Sequence, residues 1–368
     1  MRILVVSMAY GSGHTMAARA IADALEEIDP GLEVIQFDGI LESSSRIERF
    51  PPSFYIFTNK HAHWLWHAFY YWPIFRTRLS EQLTEYLFSR GIIEKIRNFG
   101  PDAVISTHLS ATRASVRLGI PTFVVITDYV FHPFVFSDKA RAYFIASEEI
   151  ENALIARGFP RERIHLTGIP IRRMFWKMPS QTASRAKFGL PAEDKIVLLM
   201  SGNQGVTPVG RIARALRDSG AFLLVVTGKN ERMRRRMKAL FEKKKIRGKA
   251  IGHVEDMASL LSACDVIVTK GGGIISSECL AAGLPMVFYD CIPGQEEGNA
   301  RVISEWGAGA RARSAAEAAA LIREMITDQA KLDRIKEAAR ARSKPHAALD
   351  VAKRVLEYLG YPKTQNQP

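Results

Sequence analysis

Val266-Ile267-Val268-Thr269-Lys270-Gly271-Gly272-Gly273-Ile274-Ile275-Ser276-Ser277-Glu278 decides the fold. Four β-branched residues in a row read as a buried strand, three glycines as a turn, and the residues after them as a helix. A strand feeding a helix through glycine is a unit of a parallel α/β sheet. The helix start offers backbone N–H groups and a positive dipole end, which suit a diphosphate. Glu278 lies about one turn into that helix, where its carboxylate can take both hydroxyls of a ribose. The plainer alternative is a tight turn with a solvent-facing Glu278, although three consecutive glycines exceed what such a turn needs.

Working outward, short apolar runs alternate with helical periodicity. Ile3–Ser7, Leu32–Phe37, Ala103–Ser106, Thr122–Ile126 and Tyr143–Ala146 read as strands of one sheet. Ile196–Met200, Phe222–Val226, Ala250–Ile251, Val266–Thr269 and Met286–Phe288 read as strands of a second. Thr15–Ile28 places Ala18, Ile21, Ala22 and Leu25 on one helical face. The expectation is α/β with two doubly wound Rossmann-like domains facing across a cleft: 1–168, then 169–345 after the Gly168-Ile169-Pro170 punctuation. The segment 346–368 is a C-terminal helix, His346–Leu359, packing back on the first domain, and a tail.

The 368 residues carry 47% hydrophobic and 24% charged residues, so the chain is globular; its net charge of +13 suits anionic partners or serves plain solubility. Cys264, Cys279 and Cys291 are odd in number and lack metal-ligand spacing, which argues for a reducing compartment. Ile3-Leu4-Val5-Val6 is too short for a signal segment, and no window approaches the roughly 20 apolar residues that span a bilayer. The expected location is therefore cytoplasmic, with any membrane contact peripheral.

Gly11-Ser12-Gly13-His14 stands between the first strand and its helix. It lacks the Lys-Ser/Thr of a phosphate-binding Walker loop. A neutral His14 at the mouth of the sheet can take a proton from an acceptor hydroxyl, and Asp128 in Thr127-Asp128-Tyr129 can support it or orient the acceptor. The alternative is a capping turn with an incidental histidine. His108 and His132 are weaker candidates. Ile292-Pro293-Gly294-Gln295-Glu296-Glu297-Gly298-Asn299 is a polar loop at the same sheet edge as the glycine turn, able to hydrogen-bond sugar hydroxyls, although taken alone it reads as an ordinary polar loop.

The segment Phe50–Phe75 holds 11 aromatics in 26 residues, including Trp64, Trp66, Tyr70, Tyr71 and Trp72, with Arg76 and Arg78 following. Such a mixture suits a lipid–water interface with acidic headgroups, or else a buried aromatic cluster. The chain has no recognisable nucleic-acid module. Arg232–Lys249 reads as a solvated basic helix or a second membrane-facing patch.

These residues, taken together, resemble the monogalactosyldiacylglycerol synthase and processive diacylglycerol glucosyltransferase family, within glycosyltransferase family 28. The resemblance runs from Gly11-Ser12-Gly13-His14 through Thr107-His108, Ile126-Thr127-Asp128, Gly168-Ile169-Pro170, Gly228-Lys229-Asn230 and Gly252-His253-Val254. It is strongest at Thr269–Glu278 and Ile292–Asn299. It implies a GT-B fold, UDP-glucose or UDP-galactose as donor, and inverting transfer to a diacylglycerol-type lipid at an anionic membrane surface, the inner face of the cell membrane. No cofactor and no essential metal are implied. His14 matches the proposed base. Gly13, Ser201, Gly202, Asn230, Val254, Gly271, Gly272, Gly273, Ile274, Glu278, Gln295, Glu296 and Asn299 are the implied donor-binding residues. Ser201-Gly202-Asn203-Gln204-Gly205 departs from the family's glycine-rich run.

Overall fold

The computed structural model describes residues 1–8, 12–39, 90–132, 136–200 and 208–362. The chain forms two compact units. The first comprises Met1–Arg173, Pro293–Gln295 and Lys344–Pro368, and the second Met174–Ile292 and Glu296–Ser343. The junction thus lies a few residues beyond Gly168.

In the first unit, β1 (Arg2–Ser7), β2 (Glu33–Asp38), β3 (Ala103–Ser106), β4 (Thr122–Val125), β5 (Ala142–Ile145) and β6 (Ile164–Leu166) form one parallel sheet in the order β2-β1-β3-β4-β5-β6. Side chains alternate across it. Ile3 and Val5 face the helix Ser12–Ile28 and the C-terminal helix Ala347–Tyr358. Leu4 and Val6 face the helices Arg90–Phe99 and Leu109–Arg117. The C-terminal helix is part of this core: Ala348, Val351, Ala352 and Val355 are buried against it. Tyr358 meets His165 Nε2 at 3.0 Å, and Tyr361 bonds Asp29.

In the second unit, β7 (Ile196–Met200), β8 (Phe222–Val226), β9 (Gly248–Ile251), β10 (Val266–Thr269), β11 (Met286–Tyr289) and β12 (Gly309–Ala312) are again all parallel, in the order β12-β11-β10-β7-β8-β9. The edge strands β6 and β12 are absent from the sequence reading. Ile-His-Leu and Gly-Ala-Arg-Ala carry too little apolar pattern to announce a strand; pairing with β5 and β11 makes them one.

In each sheet the order in which successive strands are added reverses once. The reversal falls between β1 and β3 in the first unit and between β7 and β10 in the second. Loops leaving the carboxyl ends of those strands diverge to opposite faces and open a crevice. The residues after β1 and β3 include His14 and His108; the residues after β10 are the glycine turn.

Asp265 anchors the second sheet from its opposite end. It is 4% exposed as a side chain and accepts from Arg185 Nη2 at 2.8 Å and from the Ile196 amide at 2.8 Å, with Lys336 Nζ at 3.7 Å. It therefore joins β7 and β10 to the helices Gln181–Phe188 and Gln329–Ala341. Removing it leaves Arg185 charged and buried. Asp265→Ala is expected to lower unfolding free energy by about 3–5 kcal/mol, read by urea denaturation of the full chain. A change within experimental error would show the cluster to be dispensable.

Candidate functional site

The helix Ser12–Ile28 is fixed to the sheet at its start. Ser7 Oγ and Thr15 Oγ1 both donate to Asp38 Oδ2 at 2.9 Å, and Asp38 is 4% exposed. That clasp places His14, in the helix's first turn, over the carboxyl ends of β1 and β3. Gly13 precedes it in the same turn. Thr107 at the end of β3 lies alongside, its Oγ1 donating to the His14 carbonyl at 3.4 Å.

His14 Nδ1 meets Thr127 Oγ1 at 3.0 Å. Its ring stands edge-on to His108, with centroids 5.6 Å apart. Surrounding protein lowers the pKa of His14, while Asp128, the Thr107 backbone and Asp38 act in the opposite direction. His14 is half-buried and still reaches solvent. Burial pushes His108 down to about 3, with a smaller contribution from His14. His108 also caps its own helix, Nδ1 accepting from the Ser110 amide at 3.3 Å. Both imidazoles are therefore neutral at pH 7, and a neutral imidazole can accept a proton.

Thr127, one residue before Asp128, hydrogen-bonds the His14 ring, and the Asp128 charge raises the His14 pKa, the direction a supporting carboxylate gives. Asp128 also accepts from Gln295 Nε2 at 3.3 Å. Thr127, Thr107 and Asp38 carry no role of their own in the sequence. Thr107 and Thr127 stand in stretches that resemble the family, and all three lie at or just after a strand's carboxyl end.

In the second unit the glycine turn is held by backbone contact. A Cβ on Gly271 would stand 1.9 Å from the carbonyl oxygen of Glu296, so no other residue fits without moving main chain. Asn299, fully buried, donates from Nδ2 to the Gly271 carbonyl at 2.8 Å. Gly272 is the N-cap of the helix Gly273–Ala282 and supplies no side-chain cap. Other helices of the unit are capped by Ser180, Asn230, Asp256, Ser314 and Asp328. The first N–H groups after Gly272 thus have no side-chain cap and the helix dipole behind them, an arrangement that suits an anion. Lys270 adds a cation beside it, 3.5 Å from Asp290 Oδ2. Asp290 itself holds a left-handed φ of 61° at the end of β11.

Glu278 is 2% exposed, so it is an inward-facing residue of this helix and the solvent-facing alternative fails. Ile274 is buried in the first turn. Glu296 Oε2 accepts from the Ile292 amide at 2.7 Å and braces the polar loop. Asn299 is engaged with the turn and Asn230 with its helix, where Oδ1 accepts from the Met233 amide at 2.9 Å. Val254 is half-buried after β9, in the stretch whose Gly252 adjoins the Gly228 carbonyl. Ser201 and Gly202 lie outside the described residues, as do Trp64, Trp66, Tyr70, Tyr71, Trp72, Arg76 and Arg78. Burial raises the thiol pKa of all three cysteines, that of Cys291 to about 12, so none is a ready nucleophile.

Comparison with known proteins agrees with this geometry. Residues 14–171 match the family model of monogalactosyldiacylglycerol (MGDG) synthase, and residues 180–342 that of glycosyl transferases group 1. A processive diacylglycerol beta-glucosyltransferase of Bacillus pumilus is 25% identical over 364 residues, 97% of this chain and 94% of that one. The protein of the same name from Bacillus cytotoxicus is 28% identical over 377 residues, 97% and 93% of the two chains. Among solved structures, MurG of Acinetobacter baumannii superposes with a TM-score of 0.65 at 16% identity, over 97% of this chain and 100% of that one. A UDP-GlcNAc 2-epimerase from Neisseria meningitidis gives 0.62 at 13%, over 97% and 100%. The fold is thus the two-domain α/β GT-B type.

Two outcomes follow. Gly271→Ala is expected to retain the fold and to weaken binding of UDP at least about tenfold by calorimetry, because the anion seat must shift with the main chain. Unchanged affinity would remove the turn from the binding site. For His108, the unfolded chain binds a proton near pH 6.5 and the folded chain only near pH 3. The unfolded state then holds more protons across that window, so its contribution to stability falls as pH drops from about 6.5 toward 3. Denaturation midpoints should fall less steeply over this window in His108→Gln than in the unaltered chain.

Proposed function

We infer that this chain, which belongs to the monogalactosyldiacylglycerol synthase and processive diacylglycerol glucosyltransferase family and is a glycosyltransferase, moves a hexose from a UDP-sugar to diacylglycerol or a related lipid at a membrane surface. One observation carries the reading. Each unit presents, at the reversal point of its sheet, one half of the required chemistry: a neutral histidine in the first and an uncapped, glycine-walled helix start in the second.

The reaction is a single displacement. His14 takes the proton of the acceptor hydroxyl as its oxygen attacks the anomeric carbon. The bond from that carbon to the diphosphate breaks, its electrons leave with UDP, and the configuration inverts. The Gly271–Gly273 and Ile274 amides with the helix dipole stabilise the departing diphosphate. Glu278 takes the ribose hydroxyls and backbone near Val254 the uracil. Gln295 and Glu296 serve the sugar. Asn299 acts by shaping the turn and Asn230 by holding its helix. Thr127 keeps the His14 ring oriented. No metal is assigned a step.

The relatives' printed name favours glucose over galactose and diacylglycerol as acceptor. Among the described residues no helix is long and apolar enough to cross a membrane. The aromatic and basic segment with Trp64, Trp66, Tyr70, Tyr71, Trp72, Arg76 and Arg78 is assigned the peripheral contact, at the inner face of the cell membrane.

The test incubates the full chain with diacylglycerol vesicles and either UDP-glucose or UDP-galactose, with and without chelator, and identifies lipid products by mass spectrometry. A hexosyl lipid is expected, at the same rate with chelator. Sugar release without lipid, or an epimerised nucleotide sugar, would overturn the reading in favour of a hydrolase or epimerase on the same fold. His14→Ala is expected to lose about 10²–10⁴-fold in turnover with UDP affinity kept. Glu278→Ala should weaken UDP binding instead.

A further inference from the structure

The chain's surplus charge is local. Residues 232–249 contain ten lysines and arginines against Glu242 alone, a balance of +9 within the total of +13, so the other 350 residues contribute only +4. This segment covers most of the helix Glu231–Lys244 and the first two residues of β9.

Exposure follows the charge. Met237 and Phe241 turn into the core of the second unit, while Arg232, Arg235, Arg236, Lys238, Lys243 and Lys244 stand in solvent. Arg234 pairs with Glu231 and Arg247 with Asp194 at the margins. Among the described residues none of the six exposed cations makes an ion pair. Their spacing brings like charges together: Arg232 is three and four residues from Arg235 and Arg236, and Lys238 three from Arg235, with Glu231 and Glu242 the acids of the helix within one turn of them. Lys245 extends the cationic run at a left-handed φ of 52°, a conformation that favours glycine.

We propose that this helix face is a contact surface for a bilayer carrying anionic headgroups. The proposal deepens the proposed function, resting on its lipid acceptor, and assigns the second unit a membrane contact of its own. Its exposed side chains are mostly cations, with Glu231, Ala239 and Glu242 among them and no aromatic residue; Met233 and Leu240 are half-buried. The contact therefore stays at headgroup level and is electrostatic, additive over the cations and screened by salt. The absence of exposed aromatics on this face also disfavours single-stranded nucleic acid, which needs stacking platforms.

The experiment sediments the full chain with phosphatidylcholine vesicles with and without phosphatidylglycerol, across a salt series. One variant combines Arg235→Gln, Arg236→Gln, Lys243→Gln and Lys244→Gln. A control of equal net charge combines Arg97→Gln, Lys177→Gln, Arg334→Gln and Lys353→Gln, exposed cations elsewhere. The helix variant is expected to lose about tenfold or more in partitioning onto anionic vesicles, the control much less, and the loss to vanish at high salt. Its melting temperature should be unchanged or higher, since repulsion is relieved, and its UDP affinity unchanged. Equal losses in the two variants would assign binding to diffuse charge and overturn the proposal. So would wild-type binding by the helix variant, or a preference of the wild type for oligonucleotides over anionic vesicles. Vesicle binding is read without donor sugar. A chain that glycosylates no lipid yet loses binding in the helix variant would keep this surface and reject the proposed function.

Discussion

Where Gly271 meets the carbonyl oxygen of Glu296, the main chain of one loop lies against that of another with no space for a single carbon. Much of the second unit's ligand end follows from that contact. It draws the turn after β10 onto the first turn of the helix Gln295–Glu305, where Asn299 can reach the Gly271 carbonyl. It also leaves Gly272 at the helix cap, with no side chain to cover the N–H groups. The seat is thus made of backbone, whose dipoles are fixed by the fold and need little reorganisation when a charged group arrives or leaves. Glu296 takes part twice, through its carbonyl and through the carboxylate that braces Ile292.

The first unit solves a different problem. The general-base role proposed for His14 requires a ring that is uncharged before it acts and holds one orientation. Crowding by protein favours the uncharged ring of His14, and Thr127 fixes its direction. His108 stands edge-on, also uncharged, so it adds no cation that would repel a proton from its neighbour. The carboxylates Asp128 and Asp38 moderate the effect of burial, keeping the imidazole basic enough to be useful. Asp38 additionally ties the helix start to β1 through Ser7 and to β2 through its own position.

Much of this architecture was legible in the sequence. The apolar runs of β3, β7, β8 and β10 coincide with the observed strands because they are buried on both faces, which leaves composition no freedom. The glycine turn and His14 were legible because both sit where a strand hands over to a helix. What was not legible depends on distant pairing. Thr127 lies 113 residues from His14, and its role rests on the order of β1, β3 and β4 in the sheet. Asn299 reads in sequence only as part of a polar loop; its hydrogen bond to the Gly271 carbonyl depends on the tertiary approach of that glycine. The edge strands β6 and β12 failed to show because an edge needs little apolar patterning of its own.

The C-terminal helix has a consequence for the order in which the chain matures. Ala348, Val351, Ala352 and Val355 fill the core beneath Ile3 and Val5, at the other end of the sequence. A ribosome delivers residues from the N-terminus, and domains ordinarily fold in the order they emerge. Here the first sheet, though made early, exposes part of one apolar face until the whole second unit has been synthesised. The second unit has no such dependence and can close first. The N-terminal half of this protein is therefore the later to reach its final packing, and holds an unfinished surface throughout the synthesis of the rest.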